Sequence, residues 1–120
     1  MNSEDFVDAI QIAVRNAAIE GTVTSLTTPP GRSPDPRLIE LSKWFADLDE
    51  GERRLVRALI ERSVDQAVFG FLTVLDGVRA IENSPDKGVL ELYYVRGERR
   101  VLINDPNHIL LHEIYNSIPR

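Results

Sequence analysis

A long helical stripe in the middle of the chain decides the fold: residues 49–83 read DEGERRLVRALIERSVDQAVFGFLTVLDGVRAIEN. Asp49 and Glu52 form a capping-box start signal, in which two side chains satisfy backbone N–H groups at the beginning of a helix. Apolar residues then recur at steps of three and four through the stretch, which is the period of a helix and not of a strand. Residues 68–78, VFGFLTVLDGV, are apolar on almost every side, which predicts a buried central helix.

The length of this stripe raises a packing problem. As one helix, residues 51–83 would extend about 50 Å at 1.5 Å per residue, which exceeds a compact chain of this size. We therefore expect either a break near Asp65–Gly70 or a partner chain that covers the overhang. A second apolar stripe widens the apolar face in the later half of the helix and consists of Leu55, Leu59, Val68, Leu72 and Leu75. The arginines of the early part are expected outside: Arg53, Arg54, Arg57 and Arg62.

Helical spacing and cap residues also predict the N-terminal elements. An amphipathic helix is expected over Ser3–Glu20, with Ser3 as N-cap and Gly21 at the left-handed position after its end. Residues 22–28 are β-branched and suggest a short extended piece. A proline-rich irregular loop follows over about residues 27–35. Asp35 and Pro36 then favour the start of a second helix, which we expect to run to about Asp47.

The C-terminal part predicts a β-hairpin followed by a short helix. The strands are expected at Val89–Val95 and Arg99–Asn104, with Arg96-Gly97 at the turn. Asp105 and Pro106 repeat the cap-and-proline signal, so a last helix is expected from Pro106 to about Ser117. The fold class is therefore α+β: a helix-dominated single domain of four or five helices with one antiparallel β-hairpin near the C-terminus.

Length, charge and cysteine content exclude several classes of protein. The 120 residues suit one domain, 1–120, and the net charge of −5 argues against a nucleic-acid binder, since such domains are usually basic. The absence of cysteine removes disulfides, thiolate metal sites and cysteine nucleophiles. No apolar run is long enough for a membrane span and no signal peptide is visible, so we expect a cytoplasmic protein without membrane partners. The sequence contains no glycine-rich nucleotide-binding motif, and no cofactor is expected.

Two histidines form the first candidate site. His108 and His112 stand four residues apart in the expected last helix, a spacing that can chelate a metal ion if a third ligand comes from elsewhere. The pattern departs from the H-E-x-x-H motif because Ile109 follows the first histidine. The alternative is that His112 packs against the core and His108 is merely exposed.

Asp76 is the second candidate because it interrupts the apolar run FLTVLDGV. A buried carboxylate needs a partner, and such groups serve as general bases or ligand groups. Asp76 could equally pair with Arg79, cap another segment, or lie where the helix surfaces. Tyr94 is a candidate ligand-binding residue on the hairpin, although aromatic residues on hairpins are more often packing residues.

From residue 48 to residue 116, the words FLTVLDG, LELYYV and LIND…LHEIYN resemble a group of small uncharacterised bacterial helix–hairpin–helix proteins of unassigned function. These words contain core and cap residues, so the resemblance implies a fold and no catalytic residue. Small immunity proteins that neutralise bacterial toxins are similar in size, acidity and lack of cysteine.

The function expected from the sequence is non-catalytic. We predict a protein–protein interaction module, immunity-type or regulatory, that acts as a homodimer; a second protein is an alternative partner. The dimer is suggested by the overlong helix and by the open edge of the hairpin. The competing hypothesis is a small-ligand or metal-binding protein or an enzyme that uses Asp76, His108 and His112.

Overall fold

A computed structural model describes all residues, 1–120, and confirms the helix-dominated α+β class. Four helices and one antiparallel two-strand hairpin make up the chain. The first helix consists of three consecutive segments: α1 (Ser3–Ile10), a π-helical segment (Gln11–Asn16) and α2 (Ala17–Thr27). The remaining elements are α3 (Pro36–Ala46), α4 (Glu50–Leu75), β1 (Tyr93–Arg96), β2 (Arg99–Leu102) and α5 (Leu111–Ser117).

The first helix is longer than its sequence signals suggest. Its N-cap is Asn2, not Ser3: the Asn2 side chain accepts a hydrogen bond from the backbone N–H of Asp5, and the Asp5 carboxylate accepts one from Asn2. The expected end at Gly21 and the extended piece at residues 22–28 are both wrong, because α2 continues to Thr27. Packing of Leu26, which is buried, outweighs the weak helix propensity of glycine and threonine.

The proline-rich loop and the second helix match their predictions. Residues 28–35 form no regular structure. Asp35 then caps α3 by accepting a hydrogen bond from the backbone N–H of Arg37, and Pro36 occupies the first turn. The hydroxyl of Ser42 donates to the backbone oxygen of Leu26 at 2.6 Å, which joins α3 to the end of α2.

Helix α4 begins as expected but neither breaks nor overruns. Asp49 and Glu52 exchange the two hydrogen bonds of a capping box. The helix then continues without interruption through Asp65–Gly70, so the predicted break is wrong. It ends at Leu75, because Gly77 takes the left-handed conformation (φ 76°) that closes a helix C-terminus. The expected overhang to residue 83 therefore does not exist.

The later half of α4 is not buried on every side. Val68, Gly70, Leu72 and Thr73 are buried, but Phe71 retains 63% of its exposure. Gly70 and Gly77 have different surroundings, and neither lies against another helix. A side chain at Gly70 would meet the guanidinium of Arg79, and Gly77 has open space around it and serves the helix end.

The hairpin forms with shorter strands than predicted. Tyr93 pairs with Leu102 and Arg96 with Arg99, around a turn at Gly97 and Glu98. The backbone N–H of Ile103 extends the pairing by donating to Leu92.

The last helix begins later than expected. Asp105 initiates a turn instead of a helix: its carboxylate accepts from the backbone N–H of Asn107, and its backbone oxygen accepts from that of His108. Helix α5 starts only at Leu111, so His108 precedes the helix and the shared helix face predicted for the two histidines is wrong.

The chain divides into two compact units, Met1–Val14 with Gln66–Arg120, and Arg15–Asp65. The first unit, hereafter the hairpin unit, contains the most deeply buried side chains: Val7, Leu72, Ile103, Leu111 and Tyr115. The second, the helical unit, is built around Ile19, Leu26 and Phe45. The single domain expected from the length stays a prediction, since compactness does not establish that a unit folds alone. None of the helices combines the length and apolar character needed to cross a membrane.

Candidate functional site

The Asp76 carboxylate caps a helix that lies 35 residues further along the chain. Its side chain is 1% exposed. Oδ1 accepts from the backbone N–H of Leu111 at 3.0 Å, and Oδ2 accepts from that of His112 at 2.9 Å. The residue before the helix, Leu110, has no side chain that can cap it. Asp76 therefore supplies the acceptor that the local sequence lacks, at the end of a helix where negative charge is favourable.

The His112 ring completes this cluster. Its Nδ1 lies 2.6 Å from Oδ2 of Asp76, and its ring packs edge-on against Phe69 with 5.5 Å between centroids. A carboxylate on Nδ1 orients an imidazole in many active sites. Here, the backbone N–H and the ring Nδ1 of His112 both contact the same carboxylate oxygen of Asp76. Of the alternatives for Asp76, the contacts show the cap for another segment, because its carboxylate accepts from the first backbone N–H groups of α5.

Asn104 forms a second buried polar cluster beside Asp76. Its Nδ2 donates to the backbone oxygens of Leu75 at 2.7 Å and of Leu90 at 2.9 Å, and its Oδ1 accepts from the backbone N–H of Leu92 at 2.8 Å. One amide thus joins the end of α4 to the segment that leads into β1. The sequence analysis did not predict this structural role of Asn104. Its only signal was the position of the residue in the segment LIND.

The structure does not bring all the predicted site residues together. Asp76 and His112 are in contact, whereas Tyr94 lines a different, mainly apolar cavity of about 290 Å³ with Phe6 and Ile10. His108 is exposed in the turn before α5, with Nε2 3.6 Å from the Asp105 carboxylate. Asp76 itself borders a second cavity, of about 460 Å³, between the end of α4 and residues 87–90.

The predicted metal site gains no third ligand. No group of three or more histidine, aspartate or glutamate side chains in the chain could hold a metal ion. His112 directs Nδ1 to a carboxylate that already receives two backbone N–H groups. These contacts stabilise the start of α5 and do not form a coordination shell.

Ion pairs in the helical unit join α4 to the first helix. Nε of Arg15 lies 2.7 Å from Oδ1 of Asp65. Arg57 pairs with Glu20 of α2 and, at 3.1 Å, with Glu61. The hydrogen bond from Arg57, together with its charge, lowers the pKa of the Glu20 carboxyl and raises the pKa of the arginine. Arg57, one of the arginines expected on the outside of α4, therefore connects two helices.

Several apolar residues of the helical unit have helical spacing but are exposed to solvent. Leu55 is 72% exposed and Leu59 66% exposed, although both belong to the second apolar stripe of α4. On α3, Leu41 and Trp44 are 45% and 51% exposed. Leu55 and Leu59 stand four residues apart on one face of α4, and neighbouring exposed apolar residues can mark an interaction surface.

Comparison with known proteins supplies no relative: no family model matches the chain, and no curated protein or solved structure matches it significantly.

Proposed function

We propose that the protein is a non-catalytic, cytoplasmic protein–protein interaction module, immunity-type or regulatory, that acts as a homodimer. The exposed leucine pair on α4, Leu55 and Leu59, is the observation that carries this proposal. Two of the residues suggested for catalysis, Asp76 and His112, are occupied in holding α5, which favours an interaction role over an enzymatic one.

The exposed leucines also set the expected strength of association. Burying four leucine side chains, two from each copy, contributes about 6–12 kcal/mol at 1.5–3 kcal/mol each. Loss of translational and rotational freedom opposes this with roughly 4–15 kcal/mol. The most favourable combination of these ranges leaves about −8 kcal/mol, which corresponds to a dissociation constant in the micromolar range, so we expect a weak, reversible dimer.

Light scattering coupled to size exclusion tests the proposal, over loading concentrations that extend from low micromolar to high micromolar. We expect the mass to rise from monomer to dimer along this series. A strict monomer at every concentration would remove the homodimer proposal.

A matched pair of variants distinguishes association through Leu55 and Leu59 from nonspecific association. Leu55→Gln combined with Leu59→Gln should leave a folded monomer, because both side chains are exposed and glutamine is a good helix former. Ile109→Gln, a change at a residue 61% exposed in the hairpin unit, should leave the dimer unchanged. Equal loss of dimer in both proteins would contradict the assignment to α4.

A further inference from the structure

Within the helical unit, α4 directs one side toward its neighbours and leaves the opposite side open. Arg57 contacts α2 through Glu20, and Arg53 donates to the backbone oxygens of Phe45 and Ala46 at the end of α3. At 3.6 residues per turn, Leu55 and Leu59 lie on the side away from these contacts. Their exposure agrees with that placement.

Charged residues flank the two leucines in a symmetric order. Along the open face, the sequence runs Glu52, Leu55, Leu59, Arg62. The two leucines lie equally far from position 57, and so do the glutamate and the arginine. All four side chains are exposed, and at 100° per residue they fall within one side of the helix.

We propose that two copies of the chain pair antiparallel through this face, with Leu55 against Leu59 and Glu52 against Arg62 of the partner copy. This inference rests on the proposed homodimer and specifies its interface. A two-fold axis at position 57 makes every contact twice, as in symmetric dimers generally. Each end of the leucine cluster is then closed by a pair of opposite charges, which fixes the orientation of the two helices.

The charged groups of Glu52 and Arg62 are free to form these ion pairs between copies. Glu52 uses Oε1 to accept the backbone N–H of Asp49, which leaves its second carboxylate oxygen for the arginine. Arg62 is exposed, and none of the ion pairs within the chain includes it. A parallel pairing of the same faces would instead set each charge beside its own copy, which is unfavourable.

The hairpin edge, the dimer surface suggested by the sequence, is less suitable. Its two strands contain Arg96, Arg99 and Arg100 and no acidic residue. Pairing either strand with its copy would therefore form no opposite-charge pair across the interface. Charge complementarity therefore selects the open face of α4 over the hairpin.

Charge reversal tests the arrangement. Arg62→Glu should weaken the dimer by about tenfold or more, because it sets two glutamates against each other at both ends of the interface. Adding Glu52→Arg to the same chain restores opposite charges and should recover the dimer. Arg54→Glu makes the same charge change away from the open face and serves as the matched control. Circular dichroism verifies that each variant is folded.

The outcomes distinguish this inference from the proposed function. A wild-type dimer that is indifferent to Arg62→Glu, or is not recovered by the double change, overturns the antiparallel interface and leaves the homodimer standing. A wild-type chain that is monomeric at all concentrations removes both. Recovery in the double variant, with Arg54→Glu unchanged, supports both.

Engineered cysteines give a second, charge-independent test, since the chain has no cysteine of its own. A mixture of Glu52→Cys and Arg62→Cys proteins should, on oxidation, form a disulfide between the two variants. Residue 52 of one copy would lie about 15 Å along the helix axis from residue 52 of the other copy, and the same holds for residue 62. This separation is too large for a disulfide. Disulfides between identical variants, or none in a sample that light scattering shows to be dimeric, overturn the arrangement.

Discussion

The Nδ1 atom of His112 lies 2.6 Å from Oδ2 of Asp76, and the same carboxylate accepts the backbone N–H groups of Leu111 and His112. One buried side chain thus receives three donors from a helix that begins 35 residues later. The carboxylate is part of the fold, and its removal should be felt as lost stability.

Asp76→Ala should lower the free energy of unfolding by about 3 kcal/mol or more, because it leaves buried N–H groups without an acceptor. Urea unfolding followed by circular dichroism measures the change. His112→Ala keeps both backbone contacts and should cost less. Asp8→Asn, at an exposed position of α1, is the control and should stay within about 0.5 kcal/mol of wild type. An equal effect of the Asp76 and Asp8 changes would contradict the capping role.

Asn104→Ala should be comparably destabilising, by about 2–4 kcal/mol, since the amide serves three backbone groups. Asn104→Asp should also fail to replace it, because a carboxylate cannot donate to the oxygens of Leu75 and Leu90. Thermal unfolding of both variants measures the loss of stability. Asn83→Ala, a change at an exposed asparagine, is the control. A near-neutral Asn104→Asp would show that the two donated hydrogen bonds contribute little.

Two glycine substitutions should change stability in opposite directions. Gly21 lies inside α2 with open space around it, so Gly21→Ala should stabilise the protein by about 0.5–1 kcal/mol. Gly77 has φ 76°, so Gly77→Ala should destabilise it by about 1–2 kcal/mol. Both are measured as shifts in the urea midpoint. Destabilisation by Gly21→Ala would indicate that the first helix ends where the sequence signals place its end.

The Glu20–Arg57 pair should contribute an acid-sensitive part of the stability. Because Arg57 lowers the pKa of Glu20, this contribution is present above the unfolded-state pKa, about 4.3, and is lost as the pH falls through the lower folded-state value. The difference in stability between wild type and Glu20→Gln should therefore be constant near neutral pH and shrink in acid. Urea unfolding at a series of pH values measures it.

Salt provides a check on the same pair. Both side chains are solvent-exposed, so added salt should reduce the effect of Glu20→Gln. Glu40→Gln, a change at an exposed glutamate of α3, should show no comparable dependence. A salt-independent difference would mean that the glutamate acts through packing and not through charge.

Local signals predicted the element types better than their ends. The capping box at Asp49 and the cap-and-proline start at Asp35 are confirmed, because each is satisfied by atoms a few residues away. The same signal at Asp105 produces only a turn. Helix α5 has its acceptor from Asp76 instead, and no local pattern records a partner that distant.

Burial was the other quantity that periodicity could not determine. Leu55 and Leu59 have the spacing of core residues, yet they face away from the neighbours of α4. A stripe at helical spacing reports which residues share a face, but the tertiary partners decide which face is covered. The buried environment of Asp76 was recognisable because it stands within an apolar run; its partner was not.

The position of Asp76 couples the end of one helix to the start of another. Helix α5 has seven residues, and isolated helices of that length are unstable in water. When the last turn of α4 frays, the Asp76 carboxylate moves with it and the first turn of α5 loses its acceptors. Native-state hydrogen exchange should therefore find amides of residues 111–117 opening together with those at the end of α4, as one cooperative unit.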